Sequence, residues 1–298
     1  MQIRQREALA GYGFALPWLI GFLVFIAGPM LGSIYLSFTQ WDLLGSPLWV
    51  GLDNYRYLAV DPLVRQALKV TTIYAALSVP LNLGVGLFLA ILLNQKIRGL
   101  SVYRTIYYLP SISSGVAVSI LWLWIFNSDF GILNGILARF GISGVNWLTD
   151  PQMVIISFVI MNVWGAGGSM LIFLAGLQGI PTELYEAAEV DGANWWTRLW
   201  RITLPLMSPV IFFNLVTGLI KALQIFTQSY IMTGGGPHNA SLFYVLYLYK
   251  NAFVFYEMGY ASALAWVLFI YILVLTLLVI RSSDAWVFYQ GSLKGRSS

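Results

Sequence analysis

The chain has 298 residues, of which 59% are hydrophobic and only 9% are charged. Soluble domains carry about 25% charged residues, so these few charges are too sparse to cover a soluble globule of this size. The chain has no cysteine and a single histidine, His238, which excludes disulfides, thiolate nucleophiles and most metal sites. The net charge of +4 arises from few charges and does not indicate nucleic-acid binding. The composition therefore predicts an integral membrane protein.

Long runs without Asp, Glu, Lys or Arg mark the predicted spans, because a helix needs about 20 apolar residues to cross a bilayer. Lys221 is the only charged residue inside any of them. The apolar segment 242–249 is too short to cross and follows the chain-breaking sequence Gly-Gly-Gly-Pro, so a surface or re-entrant helix is expected there. The sequence predicts an all-α membrane protein. Its six spans are expected near residues 14–38, 70–93, 105–126, 153–177, 206–231 and 260–280.

The distribution of Lys and Arg sets the expected orientation. With the N-terminus in the cytoplasm, the inner segments hold ten basic residues, including Lys96, Lys294 and Arg296, and the outer segments hold five. Six spans then place both termini in the cytoplasm. The N-terminal apolar stretch exceeds the core of a signal peptide and is interpreted as an uncleaved first span.

The longest inner segment, residues 181–205, carries a compact set of helix signals. Thr182 is expected to cap a helix, and acids in the following turn suit the positive end of the helix dipole. Gly192 is expected to end this helix in a left-handed conformation. A second short helix, rich in tryptophan and arginine, is expected to lie at the membrane surface. These signals alone are also compatible with a well-capped loop that has no function.

The same loop resembles the EAA loop of permease subunits from binding-protein-dependent ABC importers. Its anchor positions are Glu186-Ala187-Ala188, then three residues, Gly192, nine residues and Ile202-Thr203-Leu204-Pro205. Segments 51–55 and 231–237 resemble sugar permeases related to the membrane subunits of the maltose transporter. The resemblance covers about residues 14–281. It implies the six-span permease core of a type I ABC importer, formed by a single transmembrane domain over residues 1–298.

The resemblance also implies a division of labour. In the family the EAA segment is a coupling helix that docks on the ATP-hydrolysing subunit and transmits its closure to the membrane helices. The implied partners are a second permease subunit, expected to be a different chain, two ATP-binding subunits and an extracytoplasmic solute-binding protein. The implied coupling residues are Glu186, Ala187, Ala188, Asp191, Gly192, Ile202, Leu204 and Pro205.

No lysine follows a glycine, as a phosphate-binding P-loop would require. This chain is therefore expected to be a transport subunit rather than an enzyme and to bind no cofactor itself, with ATP and magnesium held by the partner ATPase. The resemblance implies import of a carbohydrate or related polyol across the cell (inner) membrane by alternating access. A stand-alone secondary transporter of a small polar solute is the alternative, although the internal repeats typical of that class are not evident.

Polar side chains within two predicted spans are candidates for the solute pathway, because polar groups inside a membrane are costly. In span five they are spaced by three and four residues, so they would share one helical face. One interpretation is hydrogen bonding between packed helices. The other is a pathway wall in which amides and hydroxyls bind sugar hydroxyls, Trp164 stacks on a sugar ring and Lys221 binds a hydroxyl or an anionic group. The candidates are Asn162, Trp164, Asn214, Thr217, Lys221, Gln224 and Gln228.

Overall fold

The computed structural model describes residues 3–95 and 98–288. The basic residues Lys96, Lys294 and Arg296, which entered the orientation argument, lie outside the described residues. The described chain is mainly helical, and its strands form one short antiparallel pair. It divides into two compact units. One comprises the chain up to Pro62 together with Leu248–Ile270, and the other comprises Leu63–Tyr247 together with the chain from Tyr271 onwards.

The first unit opens with an exposed apolar helix that is continuous from Gly11 to Ser37 with a mean hydropathy of 2.1. A π-helical turn, Leu23–Ala27, lies just before Pro29. Because proline lacks a backbone N–H, the widened turn is a common way to accommodate it. The elements of this part of the chain are α1 Ile3–Phe22, α2 Gly28–Ser37, β1 Thr39–Gln40, β2 Leu48–Trp49 and α3 Asp53–Val60.

The second unit contains most of the remaining helices, and its core includes Met170, Phe173 and Met207, all fully buried. The chain from residue 62 onwards forms α4 Pro62–Leu93, α5 Leu100–Ile112, α6 Gly115–Ile125, α7 Ile132–Arg139, α8 Val154–Trp164, α9 Gly167–Gln178, α10 Thr182–Val190, α11 Trp195–Arg198, the π-helix Leu199–Thr203, α12 Leu204–Leu223, α13 Thr227–Met232, α14 Tyr244–Phe253 and α15 Met258–Ser283.

The start of α15 is closely joined to β1 within the first unit. The backbone N–H of Met258 donates to the carbonyl oxygen of Trp41 at 2.9 Å. A Cβ on Gly259 would lie 1.9 Å from the carbonyl oxygen of Thr39, so only glycine fits this contact. The next residue, Tyr260, donates its hydroxyl to the buried carboxylate of Asp61 at 2.7 Å. These contacts hold the first unit together around the start of the last long helix.

Between four and six segments of the described chain are long and apolar enough to cross a membrane. Four are long helical segments that are not bent pairs: Gly11–Ser37, Pro62–Leu93, Trp195–Met232, which has a short break at residues 224–226, and Met258–Ser283. The other two are bent pairs. Helices α5 and α6 meet at 99°, and α8 and α9 meet at 43°. The count reaches six only when each bent pair is one span. Each of the six predicted intervals falls on one of these helices or pairs, to within one residue.

Two expectations about local form are corrected by the structure. The interval 105–126 is not one straight helix, because the chain turns by 99° between Ile112 and Gly115. Pro110, which lacks a backbone N–H, lies in the last turn before this bend. Of the two forms expected for segment 242–249, the structure excludes a surface helix, and a re-entrant helix stays a prediction. Phe243 and Tyr244 are fully buried, and the ring of Phe243 contacts those of Tyr74 and Phe158 within the second unit.

Candidate functional site

Helix α10 ends in the way that its sequence predicts. Gly192 adopts a left-handed conformation with φ of 75°. Its N–H donates to the carbonyl of Glu189 at 3.0 Å, and the N–H of Ala193 donates to that of Ala188 at 2.8 Å. This pair of bonds is a Schellman motif, which satisfies carbonyls left free at a helix end. At the other end, Thr182 is the first helical residue and its side chain makes no capping bond, so the predicted cap is wrong.

The segment after Gly192 is joined to both α10 and the long helix α12. Asn194 caps α11, because its side-chain oxygen accepts the N–H of Thr197 at 2.9 Å. The predicted second short helix is not separate: α11 continues through the π-helix into α12. Tyr185 on α10 hydrogen-bonds Thr203 in the π-helix at 2.9 Å, and Arg198 forms an ion pair with Glu189. Residues 181–205 therefore form one connected unit.

Tyr185 also connects α10 to the core. It packs against a buried cluster formed by α4, α9 and α12, with members that include Phe173 and Met207. Glu186, Ala187, Asp191 and Gly192 are exposed, and Ala188 is half-buried. Ile202, Leu204 and Pro205 are half-buried where the π-helix joins α12. The structure thus separates the predicted coupling residues into a mostly exposed set on α10 and its C-terminal turn, and a half-buried set at the base of α12.

A second feature is a cavity of about 770 Å³ inside the second unit. It lies where three helical segments are interrupted: between α5 and α6, between α8 and α9, and at residues 224–226 between α12 and α13. Ser113, Gly165 and Phe226, one from each interruption, line it. Non-helical backbone is tolerated at membrane depth only where it is covered by protein or lines a cavity. The cavity therefore accounts for the tolerance of non-helical backbone at these three breaks.

All seven predicted pathway residues line this cavity, although not in the predicted way. The helical face inferred for span five is interrupted, because α12 ends at Leu223. Asn214, Thr217 and Lys221 lie on α12, Gln224 lies in the break, and Gln228 lies on α13. The regular spacing in sequence does not come from one continuous helix. The residues that line the cavity are Asn162, Trp164, Asn214, Thr217, Lys221, Gln224 and Gln228.

Asn82 was missed from the sequence, and with it the polar network that it forms on the cavity wall. The side-chain amide of Asn82 on α4 donates to the side-chain oxygen of Asn162 at 3.1 Å and to its backbone carbonyl at 3.0 Å. Ser169 donates to the side-chain oxygen of Asn82 at 2.8 Å. Tyr74 and Ser78 also line the cavity. The signal was available: residues 74, 78 and 82 are spaced by four in an apolar helix, which places them on one face.

The cavity also carries a net charge. Lys221 is the only charged residue among its lining residues in the described chain, and no carboxylate lines it. Lys221 is exposed and lines the cavity, whereas Asn214, two helical turns earlier on the same face, is buried. The wall therefore combines neutral hydrogen-bonding groups, an exposed tryptophan and a single cation.

Comparison with known proteins places the chain in a transporter family. Residues 82–287 match the family described as "Binding-protein-dependent transport system inner membrane component". The chain belongs to this family. The permease is 46% identical to the probable ABC transporter permease protein YesP of Bacillus subtilis, over 96% of this chain and 94% of that protein. It is 35% identical to the trehalose/maltose transport system permease protein MalF of Thermococcus litoralis, over 94% and 95% of the two chains.

Solved structures agree with this assignment. The permease matches a chain from the crystal structure of a bacterial ABC transporter involved in the import of the acidic polysaccharide alginate, with a TM-score of 0.83 and 28% identity. The match covers 94% of this chain and 96% of that chain. The resemblance to ABC importer permeases that was inferred from the EAA loop is confirmed. The protein is a multi-pass membrane protein and a permease subunit of a sugar ABC importer. A stand-alone secondary transporter is not favoured.

Proposed function

We propose that this permease translocates a carbohydrate, either a sugar, an oligosaccharide or a related polyol, delivered by an external solute-binding protein. The observation that carries the proposal is the cavity of about 770 Å³, lined by amides, hydroxyls and an exposed tryptophan. Such groups suit a ligand rich in hydroxyls, because a few placed polar groups fix its orientation while an aromatic face covers its apolar side. The trehalose/maltose and lactose permeases among the relatives support this substrate class.

The seven cavity residues predicted from sequence form the pathway wall in this proposal, together with Asn82 and Ser169. Translocation proceeds by alternating access: the cavity opens to one side of the membrane at a time. The three helix interruptions are the points at which the wall changes shape. Hydrogen bonds from the Asn82 network hold α4 against α8 and α9, so these helices move together.

The exposed surface of α10 is proposed to dock on the ATP-hydrolysing subunit. Glu186 offers an exposed carboxylate for a basic residue of the partner, and no ion pair to it is found within the described residues. Ala187 and Ala188 permit close approach, and Gly192 supplies the tight stop. When the ATP-hydrolysing subunit displaces α10, this displacement is passed to α12 through Ile202, Leu204 and Pro205. The contact between Tyr185 and the buried cluster supports this route, because α10 cannot shift without moving that side chain.

The assembly proposed around this chain contains a second permease subunit of different sequence, two ATP-binding subunits and the solute-binding protein. A related alginate importer has been crystallised in complex with a periplasmic protein bound to an alginate pentasaccharide, which supports the last of these partners. ATP and magnesium are held by the ATP-binding subunits. This chain holds no cofactor and contributes one transmembrane domain over residues 1–298.

The proposed topology has six spans, with each bent pair counted as one, and both termini in the cytoplasm. It places residues 181–205 on the cytoplasmic face of the cell (inner) membrane, where the ATPase docks. The excess of Lys and Arg in the inner segments supports this orientation.

A pull-down from detergent extracts tests the proposal. Wild-type protein is expected to retain an ATP-hydrolysing subunit and a second permease. A variant with Glu186→Ala and Gly192→Asp is expected to keep the permease and lose the ATPase. The matched control, Asp129→Ala, removes an acid from a different loop and is expected to retain both. Wild-type protein that folds in the membrane but binds no ATPase would refute the proposed coupling role.

A further inference from the structure

The charge of Lys221 has no counterpart in the wall that surrounds it. None of the cavity's lining residues in the described chain is acidic. The sequence shows why, since no Asp or Glu occurs between Asp61 and Asp129 or between Asp191 and Glu257. These two intervals supply α4, α5, α6, α12 and α13, which form much of the wall. Within the described residues, Lys221 takes part in no ion pair.

Helix dipoles do not cancel this charge. Lys221 lies in the last turn of α12, where partial negative charge on free carbonyls favours a cation. The interruptions, however, bring helix ends of both signs to the cavity: the C-terminal ends of α5, α8 and α12 and the N-terminal ends of α6 and α9. Their partial charges oppose one another. The full charge of Lys221 therefore sets the sign of the cavity.

We propose that the cavity is selective for an anionic saccharide, and that Lys221 is the residue that binds its carboxylate or equivalent acidic group. This inference rests on the proposed carbohydrate transport and adds the charge of the substrate. A cation inside a membrane protein is expensive unless it is paired, and an incoming anion supplies the pair that the wall lacks. The bond is temporary, as transport requires, because the anion leaves with the solute.

The remaining wall suits the rest of such a ligand. The Asn82, Asn162 and Ser169 network presents amide and hydroxyl groups on the α4, α8 and α9 side. Lys221 projects from α12 into the same cavity. A sugar acid carries both kinds of group on one ring, namely hydroxyls and a carboxylate. A charge-assisted hydrogen bond to Lys221 is about twice as strong as a neutral one, so it discriminates between an acidic sugar and its neutral ester.

The test uses the complete importer in proteoliposomes with its solute-binding protein. Uptake is compared for galacturonate and mannuronate trisaccharides, their methyl esters, and maltotriose. Wild-type importer is expected to take up at least one acidic trisaccharide in preference to its ester. Lys221→Met is expected to raise the half-saturating concentration of that acid by about tenfold to 100-fold while changing uptake of the ester less than threefold. Lys221→Arg is expected to retain the preference for the acid.

The matched control is Lys69→Met, which removes an exposed lysine of α4 that does not line the cavity. It should leave uptake of both forms unchanged. Preferred uptake of maltotriose or the esters by wild type, or an equal loss of acid and ester uptake in Lys221→Met, overturns the anionic assignment alone. If wild type takes up none of these saccharides and none stimulates ATP hydrolysis, carbohydrate transport itself is refuted and the assignment fails with it.

Discussion

The left-handed turn at Gly192 is the most demanding backbone position in the proposed coupling loop. Its φ of 75° is available to glycine without cost and, less easily, to asparagine. Nothing lies within 4 Å of the position that a Cβ would occupy, so backbone strain rather than collision limits the residue here. The turn fixes the direction in which the chain leaves α10, and with it the position of Asn194, which caps α11.

A substitution series at Gly192 separates backbone strain from side-chain size. Gly192→Asn is expected to retain most ATPase binding, whereas Gly192→Val is expected to lose it, because a β-branched residue in the left-handed region costs roughly 1–2 kcal/mol or more. Co-purified ATPase per permease is the measurement. Gly135→Ala, on α7 with no neighbour within 4 Å of its added Cβ, is the control and should bind normally. Equal retention by the Asn and Val variants would contradict the prediction.

At the scale of elements, the contact between α5 and α9 depends on one glycine at a helix start. A Cβ on Gly167 would lie 2.0 Å from the carbonyl oxygen of Tyr107, and the obstructing atoms belong to the backbone. The neighbouring Gly168 is different, since its nearest contact would be the Cβ of Ser111 at 3.7 Å. A glycine within a span can serve either close helix packing or bending. The structure shows packing at Gly167, beside a 43° bend.

The contrast between Gly167 and Gly168 predicts different effects for the same substitution at these two neighbouring residues. Gly167→Ala is expected to destabilise the protein by at least about 1–3 kcal/mol, because the helices must separate to admit the methyl group. Gly168→Ala is expected to be close to neutral. Thermal unfolding of the purified protein in detergent, followed by tryptophan fluorescence, measures both. Similar unfolding temperatures for the two variants would show that the close approach of α5 and α9 is not required.

The breaks in the helices also belong to this scale. A spacing of three and four residues predicts a continuous face from Asn214 to Gln228, and the helix stops at Leu223 instead. Periodicity records which side of a segment meets polar surroundings, but it does not report whether the helix is unbroken. The cavity supplies those surroundings at the break, so the polar residues beyond it remain on the cavity wall.

For the whole molecule, the expected orientation in the membrane follows from the distribution of Lys and Arg rather than from helix packing. The helix bounds are the same whichever end faces the cytoplasm. Because the chain contains no cysteine, single substitutions report accessibility without background. Three exposed residues suit this test: Ser46 lies between β1 and β2, Asp191 lies at the C-terminal end of α10, and Ser282 lies in the last turn of α15.

Labelling of intact cells with a membrane-impermeant maleimide tests the proposed topology. Ser46→Cys is expected to react from outside, since it follows the first span. Asp191→Cys and Ser282→Cys are expected to react only after the membrane is opened. Labelling after permeabilisation is the control for each variant. Reaction of Asp191→Cys in intact cells would place the proposed coupling loop on the wrong side of the membrane and exclude its role.

The sequence by itself determined the membrane class, the approximate places of the long helices, the permease family through the resemblance of one loop, and the glycine stop of α10. These features depend on composition or on interactions between residues that are close together in the sequence, so they can be inferred from the sequence directly. Only the tertiary structure decided that three predicted helical segments are interrupted around one cavity and that Asn82 joins Asn162 and Ser169. It also decided that Lys221 lines this cavity with no acid among the lining residues of the described chain. Those features depend on residues far apart in the chain, whose proximity is set by how the helices pack.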